Sequence, residues 1–130
     1  MFVMCQEERF LTCCTPKNFV QDKICNHFIV PGADEVGASV IYVSNINQVI
    51  YASGFIKNEG TLPLTVEFVR GADPITGAGG VIVRQMIVSI EGASIFTVSK
   101  FDTIRVFAVG ATSALPGSGE FCITPRYAIR

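Results

Sequence analysis

Clusters of glycine, proline, asparagine and aspartate punctuate this chain from Val20 to its end, and the segments between them are too short and too β-branched for helices. The breaks fall at Pro31-Gly32, Asn45 to Asn47, Asn58-Glu59-Gly60, Gly71 to Gly80, Glu91-Gly92 and Pro116 to Gly119. Eight strand segments lie around them, at 22–30, 36–44, 48–56, 62–70, 80–90, 94–98, 102–109 and 119–129. Valine, isoleucine, phenylalanine and threonine dominate these segments, as a pleated, half-buried surface favours. Alternation is cleanest at Leu62, Leu64, Val66 and Phe68, which share one face while Thr65 and Glu67 take the other. Short strands at roughly ten-residue spacing predict an all-β sandwich, and the common eight-strand version is a jelly roll. The spacing leaves the strand order open.

A chain of 130 residues makes one domain. About two-thirds of its unfolded surface can be buried, enough for a core without help from metals or cross-links. Charged residues make up 16% of the chain, against roughly 25% in soluble domains, while 49% are hydrophobic. So thin a charged coat leaves apolar surface for a partner, and self-association is the simplest one. Net charge is −1, with lysine and arginine scattered, so the basic stripe that nucleic acid or an anionic membrane needs is missing. No apolar run reaches the ~20 residues of a membrane-spanning helix. The first residues, Met-Phe-Val-Met-Cys-Gln-Glu-Glu-Arg-Phe, do not read as a secretory signal, which predicts synthesis for the cytosol.

The five cysteines fit poorly with that compartment, where structural disulfides are rare. Residues 1–18 hold Cys5, Cys13 and Cys14 and show neither helical nor strand periodicity. They are expected to form a flexible connector of roughly 60 Å when extended, ahead of a domain spanning 19–130. Adjacent Cys13 and Cys14 are poorly placed to bond each other, so each is expected to bond elsewhere. In the last strand Phe121, Ile123, Tyr127 and Ile129 form an apolar face interrupted by Pro125, which puts Cys122 on the opposite, polar face. Cys25 alternates with Ile24, Phe28 and Val30 and is expected to point outward as well. A plainer reading makes Cys25 and Cys122 small hydrophobes of the domain, though this leaves the vicinal pair unexplained.

Zinc chemistry through Cys13, Cys14, Cys25 and His27 lacks any CxxC element. Catalysis has a single histidine, His27, to draw on. Asp22, Glu67, Asp102 and Glu120 are read as single charges on strand edges, with no acid–base pair among them. Gly71 to Gly80 lacks the Lys-Ser/Thr of a phosphate-binding loop and is expected to be a mobile hairpin or crossover loop. The reading is therefore of a non-enzyme without cofactor or metal. A carbohydrate- or surface-binding jelly-roll module, of a spore coat or phage tail, is the alternative. It has no tryptophan and only Tyr42, Tyr51 and Tyr127 with which to build a stacking platform.

The Cys13-Cys14 pair, the segment Phe19-Val20-Gln21-Asp22-Lys23-Ile24-Cys25 and the lone cysteine of Gly119-Glu120-Phe121-Cys122-Ile123 resemble the endospore appendage subunits of Bacillus and relatives. The resemblance implies an eight-stranded jelly roll with a flexible N-terminal connector, polymerising by joining sheet edges. It implies that Cys13 and Cys14 of the connector form inter-subunit disulfides with Cys25 and Cys122. It also implies a homopolymeric fibre on the spore surface, assembled in the mother cell, with minor appendage subunits as further partners. Cys5 and the apolar tip Phe2-Val3-Met4 depart from the simplest pattern, and Cys5 is a candidate for an additional cross-link.

Overall fold

A computed structural model describes residues 19–21, 23–32, 38–44 and 50–128 of the chain. The cysteines at 5, 13 and 14, and the whole of the expected connector, lie outside the described residues. The strands are β1 (Phe19–Gln21), β2 (Ile24–Val30), β3 (Ser39–Val43), β4 (Ile50–Asn58), β5 (Leu64–Arg70), β6 (Val81–Val88), β7 (Ala93–Phe101), β8 (Thr103–Phe107) and β9 (Gly117–Ala128). They form two antiparallel sheets. In one, β2 and β1 both lie along β9, followed by β4 and β7; the other runs β3-β8-β5-β6.

The nine segments reduce to eight strands. Phe19 stands opposite Ala128 and Ile24 opposite Ile123, so β1 and β2 keep one register along β9. The break between them falls opposite Thr124 and Pro125. Proline has no N–H to give a ladder, and the β4–β9 pairing continues through Ala52 opposite Pro125.

Counted this way, the pairings nest: β2 with β9, β3 with β8, β4 with β7 and β5 with β6. A long hairpin rolled upon itself gives this pattern, the eight-strand jelly roll expected from strand spacing. Most expected boundaries shift by one to three residues, and the shift at the end of β7, expected at 98, matters most. β7 runs on to Phe101, and only Asp102 separates it from β8, although the chain changes sheet there. Asp102 makes the corner possible. Its amide donates to the Val69 carbonyl, its carbonyl accepts from the Ser44 amide, and its carboxylate accepts from the Gly71 amide and the Thr103 hydroxyl.

The core lies between the sheets. Phe28, Val30, Ile50, Ala52, Ile56, Phe96, Val98, Phe101, Phe121 and Ile123 line one side, and Leu64, Val66, Phe68, Val88, Ile104 and Val106 the other. Burying each large side chain contributes on the order of 1.5–3 kcal/mol. The Phe68 ring crosses the interface, 4.8 Å from Phe96 and 5.3 Å from Phe101 between centroids. At the β4–β5 turn, buried Asn58 donates to the Leu62 and Val88 carbonyls and accepts from the Gly60 amide.

Gly54 sits on β4 opposite Ile123, where a Cβ would collide with the Cys122 carbonyl. Gly54→Ala is expected to destabilise the domain by about 1–3 kcal/mol, read as a lower urea midpoint. An unchanged midpoint would show that the two strands tolerate wider spacing.

The Gly71 to Gly80 segment is not a free hairpin tip. It folds back over the outer face of the four-stranded sheet. There Arg105 of β8 is 1% exposed, donating from Nε to Glu67 of β5 at 2.7 Å and from a terminal nitrogen to the Gly77 and Gly79 carbonyls at 2.6 and 2.9 Å. Gln85 of β6 donates to the other Glu67 oxygen at 2.7 Å. These three side chains stand opposite one another across adjacent strands. Glu67 was expected to be an isolated charge on a strand edge; it lies instead on an interior strand, buried and paired. Within the loop, the Ile75 and Thr76 amides donate to the Asp73 carboxylate and hold its pKa below the usual 3.8. The loop is a lid held by a guanidinium.

Candidate functional site

The outer face of the five-stranded sheet carries the cysteines. Because the first and last strands of the roll are neighbours, Cys25 of β2 and Cys122 of β9 stand directly opposite each other. Their Cα atoms are 4.1 Å apart, and the two sulfurs are joined in a disulfide across 97 residues of sequence. Cα spacing this short marks the close, non-hydrogen-bonded kind of antiparallel pair, which brings side chains nearest each other. The expectation that both residues face away from the core holds for direction. Phe121 and Ile123, the strand neighbours of Cys122, belong to the core, and Cys122 does not.

Exposure differs between the two. Cys25 is exposed on the edge strand β2, while Cys122 retains 7% of its surface on the interior strand β9. The reason is the row they stand in. Reading across the sheet, Cys25 faces Cys122, Cys122 faces Phe55 of β4, and Phe55 faces Ile95 of β7. Cys122 is therefore flanked by Cys25 on one side and by the half-buried Phe55 on the other. Alternation predicts which face a strand residue takes; it does not reveal what its cross-strand neighbours cover.

The next row holds His27, Glu120 and Lys57, opposite one another on β2, β9 and β4. His27 Nδ1 lies 3.0 Å from a Glu59 carboxylate oxygen. On the other side of the disulfide, Arg126 lies over the Tyr51 ring at 5.3 Å and donates to the Ser53 hydroxyl at 3.3 Å. Among the described residues, no group of three or more His, Cys, Asp or Glu stands close enough to hold a metal ion.

The second feature is the pair of open flanks. β7 and β6 end the two sheets on one flank, β2 and β3 on the other. The edge strand β6 exposes Val81, Ile82, Val83 and Ile87, the last at 66%, and Ile95 of β7 is 85% exposed. On the opposite flank the gap between β2 and β3 is bridged by the Ser39 hydroxyl donating to the Ile29 carbonyl. Apolar edge strands with unpaired backbone invite strand addition, and a monomer would blunt them with charge or proline.

The family model for endospore appendages matches residues 11–129. A solved structure described in the words "Bacillus endospore appendages form a novel family of disulfide-linked pili" is 37% identical, with a TM-score of 0.69; the match covers 92% of this chain and 98% of that one. A second structure, of PirA, shares 17% identity at a TM-score of 0.49, covering 81% of this chain and 93% of the other. No curated protein matches the sequence.

Proposed function

This chain belongs to the endospore appendage family and is a subunit of a disulfide-linked pilus of the spore surface; we propose that it polymerises edge to edge and is then tied through its first eighteen residues to other copies. In this reading the chain is purely structural, with no catalytic role. The carbohydrate-binding alternative is not favoured.

The observation that carries the reading is the placement of the Cys25–Cys122 site on the open edge of β2, in a chain matched over 11–129 by this family. A flank ending in β6 and β7 differs from one ending in β2 and β3, so joining one to the other is a head-to-tail contact. Repeated, such contacts give rings or helical filaments. Strand addition supplies the lateral contact. The connector, residues 1–18, carries the vicinal thiols Cys13 and Cys14, which bond to the sulfurs of Cys25 and Cys122 in other copies; Cys5 is a candidate for an additional cross-link. Minor appendage subunits share these contacts, and assembly takes place in the mother cell, as the family resemblance implies.

Negative-stain microscopy of the purified, oxidised protein tests this. Long filaments are expected, shortening or fraying when a reductant is added. Dispersed 14.0 kDa particles with and without reductant would overturn the reading.

A further inference from the structure

The two sulfurs that the pilus reading takes as acceptors are already bonded to each other within one chain, and they are chemically unequal. A thiolate attacks a disulfide in line with the S–S bond, on the side away from the sulfur that leaves, and the outcome depends on which sulfur can be reached. The row on the sheet decides this. Behind Cys25 is the open margin of β2, with no strand beyond it among the described residues. Behind Cys122 is Phe55 on β4, and the Cys122 residue is 7% exposed.

We propose that the Cys25–Cys122 disulfide is the reactive form in which the subunit presents its sulfurs, and that an incoming alkyl thiolate takes Cys25 and expels Cys122. The step balances without an outside oxidant. The attacking thiolate forms a new S–S bond to Cys25, the Cys25–Cys122 bond breaks, and its electron pair leaves on the Cys122 sulfur, which takes up a proton from water. Cys25 becomes a mixed disulfide and Cys122 a thiol. A strand or arm of a second copy lying along the margin of β2 arrives from the open side of Cys25. In the fibre the attacking group is a thiolate of another copy's Cys13-Cys14 pair, an assignment that rests on the polymer reading above. The linkage is then ordered: Cys25 is joined first, and Cys122 becomes available only afterwards.

The chemistry can be tested apart from polymerisation. The full-length Cys5→Ser/Cys13→Ser/Cys14→Ser variant retains only Cys25 and Cys122. Oxidised, this variant is treated with glutathione, quenched in acid, alkylated with N-ethylmaleimide and mapped by peptide mass spectrometry. The expected product carries glutathione on Cys25 and maleimide on Cys122, in excess over the reverse by about tenfold or more. Equal labelling, preference for Cys122, or a disulfide inert in the folded protein would overturn the proposal.

Two single variants give an independent reading in the reduced protein. The Cys25 thiol of Cys122→Ser should alkylate about tenfold faster than the Cys122 thiol of Cys25→Ser. Equal rates would also overturn it. Failure here leaves filaments of the unmodified protein intact, whereas failure of the polymer reading appears as their absence, so the two are separable.

Discussion

Replacing Cys13 and Cys14 together with serine is expected to convert an assembly that survives boiling in SDS without reductant into one that enters the gel as 14.0 kDa subunits. The effect is large because the two kinds of contact differ in nature. Edge-to-edge strand addition is non-covalent and gives way when detergent and heat unfold the subunit. A disulfide between copies is indifferent to unfolding, so subunits separate only when a bond is reduced. Either single serine variant retains one link and should show intermediate loss. The variant protein should still form short lateral arrays in native buffer, because β2, β3, β6 and β7 keep their open edges. Unchanged high-molecular-weight material from the double variant in non-reducing SDS would show that the vicinal pair carries no linkage.

Arg105→Met is expected to cost about 3–5 kcal/mol of subunit stability. A small domain has roughly 5–15 kcal/mol in total, so this single change approaches unfolding. The methionine matches the arginine stem in length but strands the Glu67 carboxylate, which among the described residues keeps only the Gln85 amide as a hydrogen-bond partner. It also releases the Gly77 and Gly79 carbonyls, and with them the segment lying over the sheet. Adding Glu67→Leu should recover most of the loss, because a buried ion pair replaced on both sides by apolar groups is nearly neutral. Urea denaturation of the single and double variants, each on the Cys13→Ser/Cys14→Ser background that lacks the inter-copy disulfides, reads both effects. A loss below about 1 kcal/mol for Arg105→Met would mean that water reaches the pair.

The same pair shows where sequence patterns stop. Leu64, Val66 and Phe68 alternate as a core face must, and all three are fully buried. Alternation also places Glu67 correctly on the other face. It says nothing about a lid on that face, because the lid is made by the ten residues that join β5 to β6, and its latch, Arg105, comes from β8. Only the register brings Glu67, Gln85 and Arg105 into one row. The Asp102 corner was hidden for a similar reason: its partners, Val69, Gly71 and Ser44, are distant in sequence.

The cysteine site was partly within reach. The strand count pointed to a jelly roll, and a jelly roll sets its first strand beside its last. In such a fold Cys25 and Cys122, near opposite ends of the chain, are candidates for neighbours on one sheet. Their direct opposition needed the register, which the break at Pro125 leaves unshifted. The asymmetry between them was out of reach, because it comes from Phe55, a residue of β4 with no sequence relation to either cysteine.

The central claim is covalent connection between copies, and isotope mixing tests it most directly. Filaments grown from equal amounts of unlabelled and nitrogen-15-labelled subunits are digested without reductant, and the disulfide-linked peptides are weighed. The account predicts pairs joining the Cys13-Cys14 peptide to the Cys25 or Cys122 peptide, with mixed light–heavy partners making up about half of them, as random neighbours on one edge-joined filament require. Linked peptides that are always wholly light or wholly heavy, with Cys25 still bonded to Cys122 of its own chain, would contradict it.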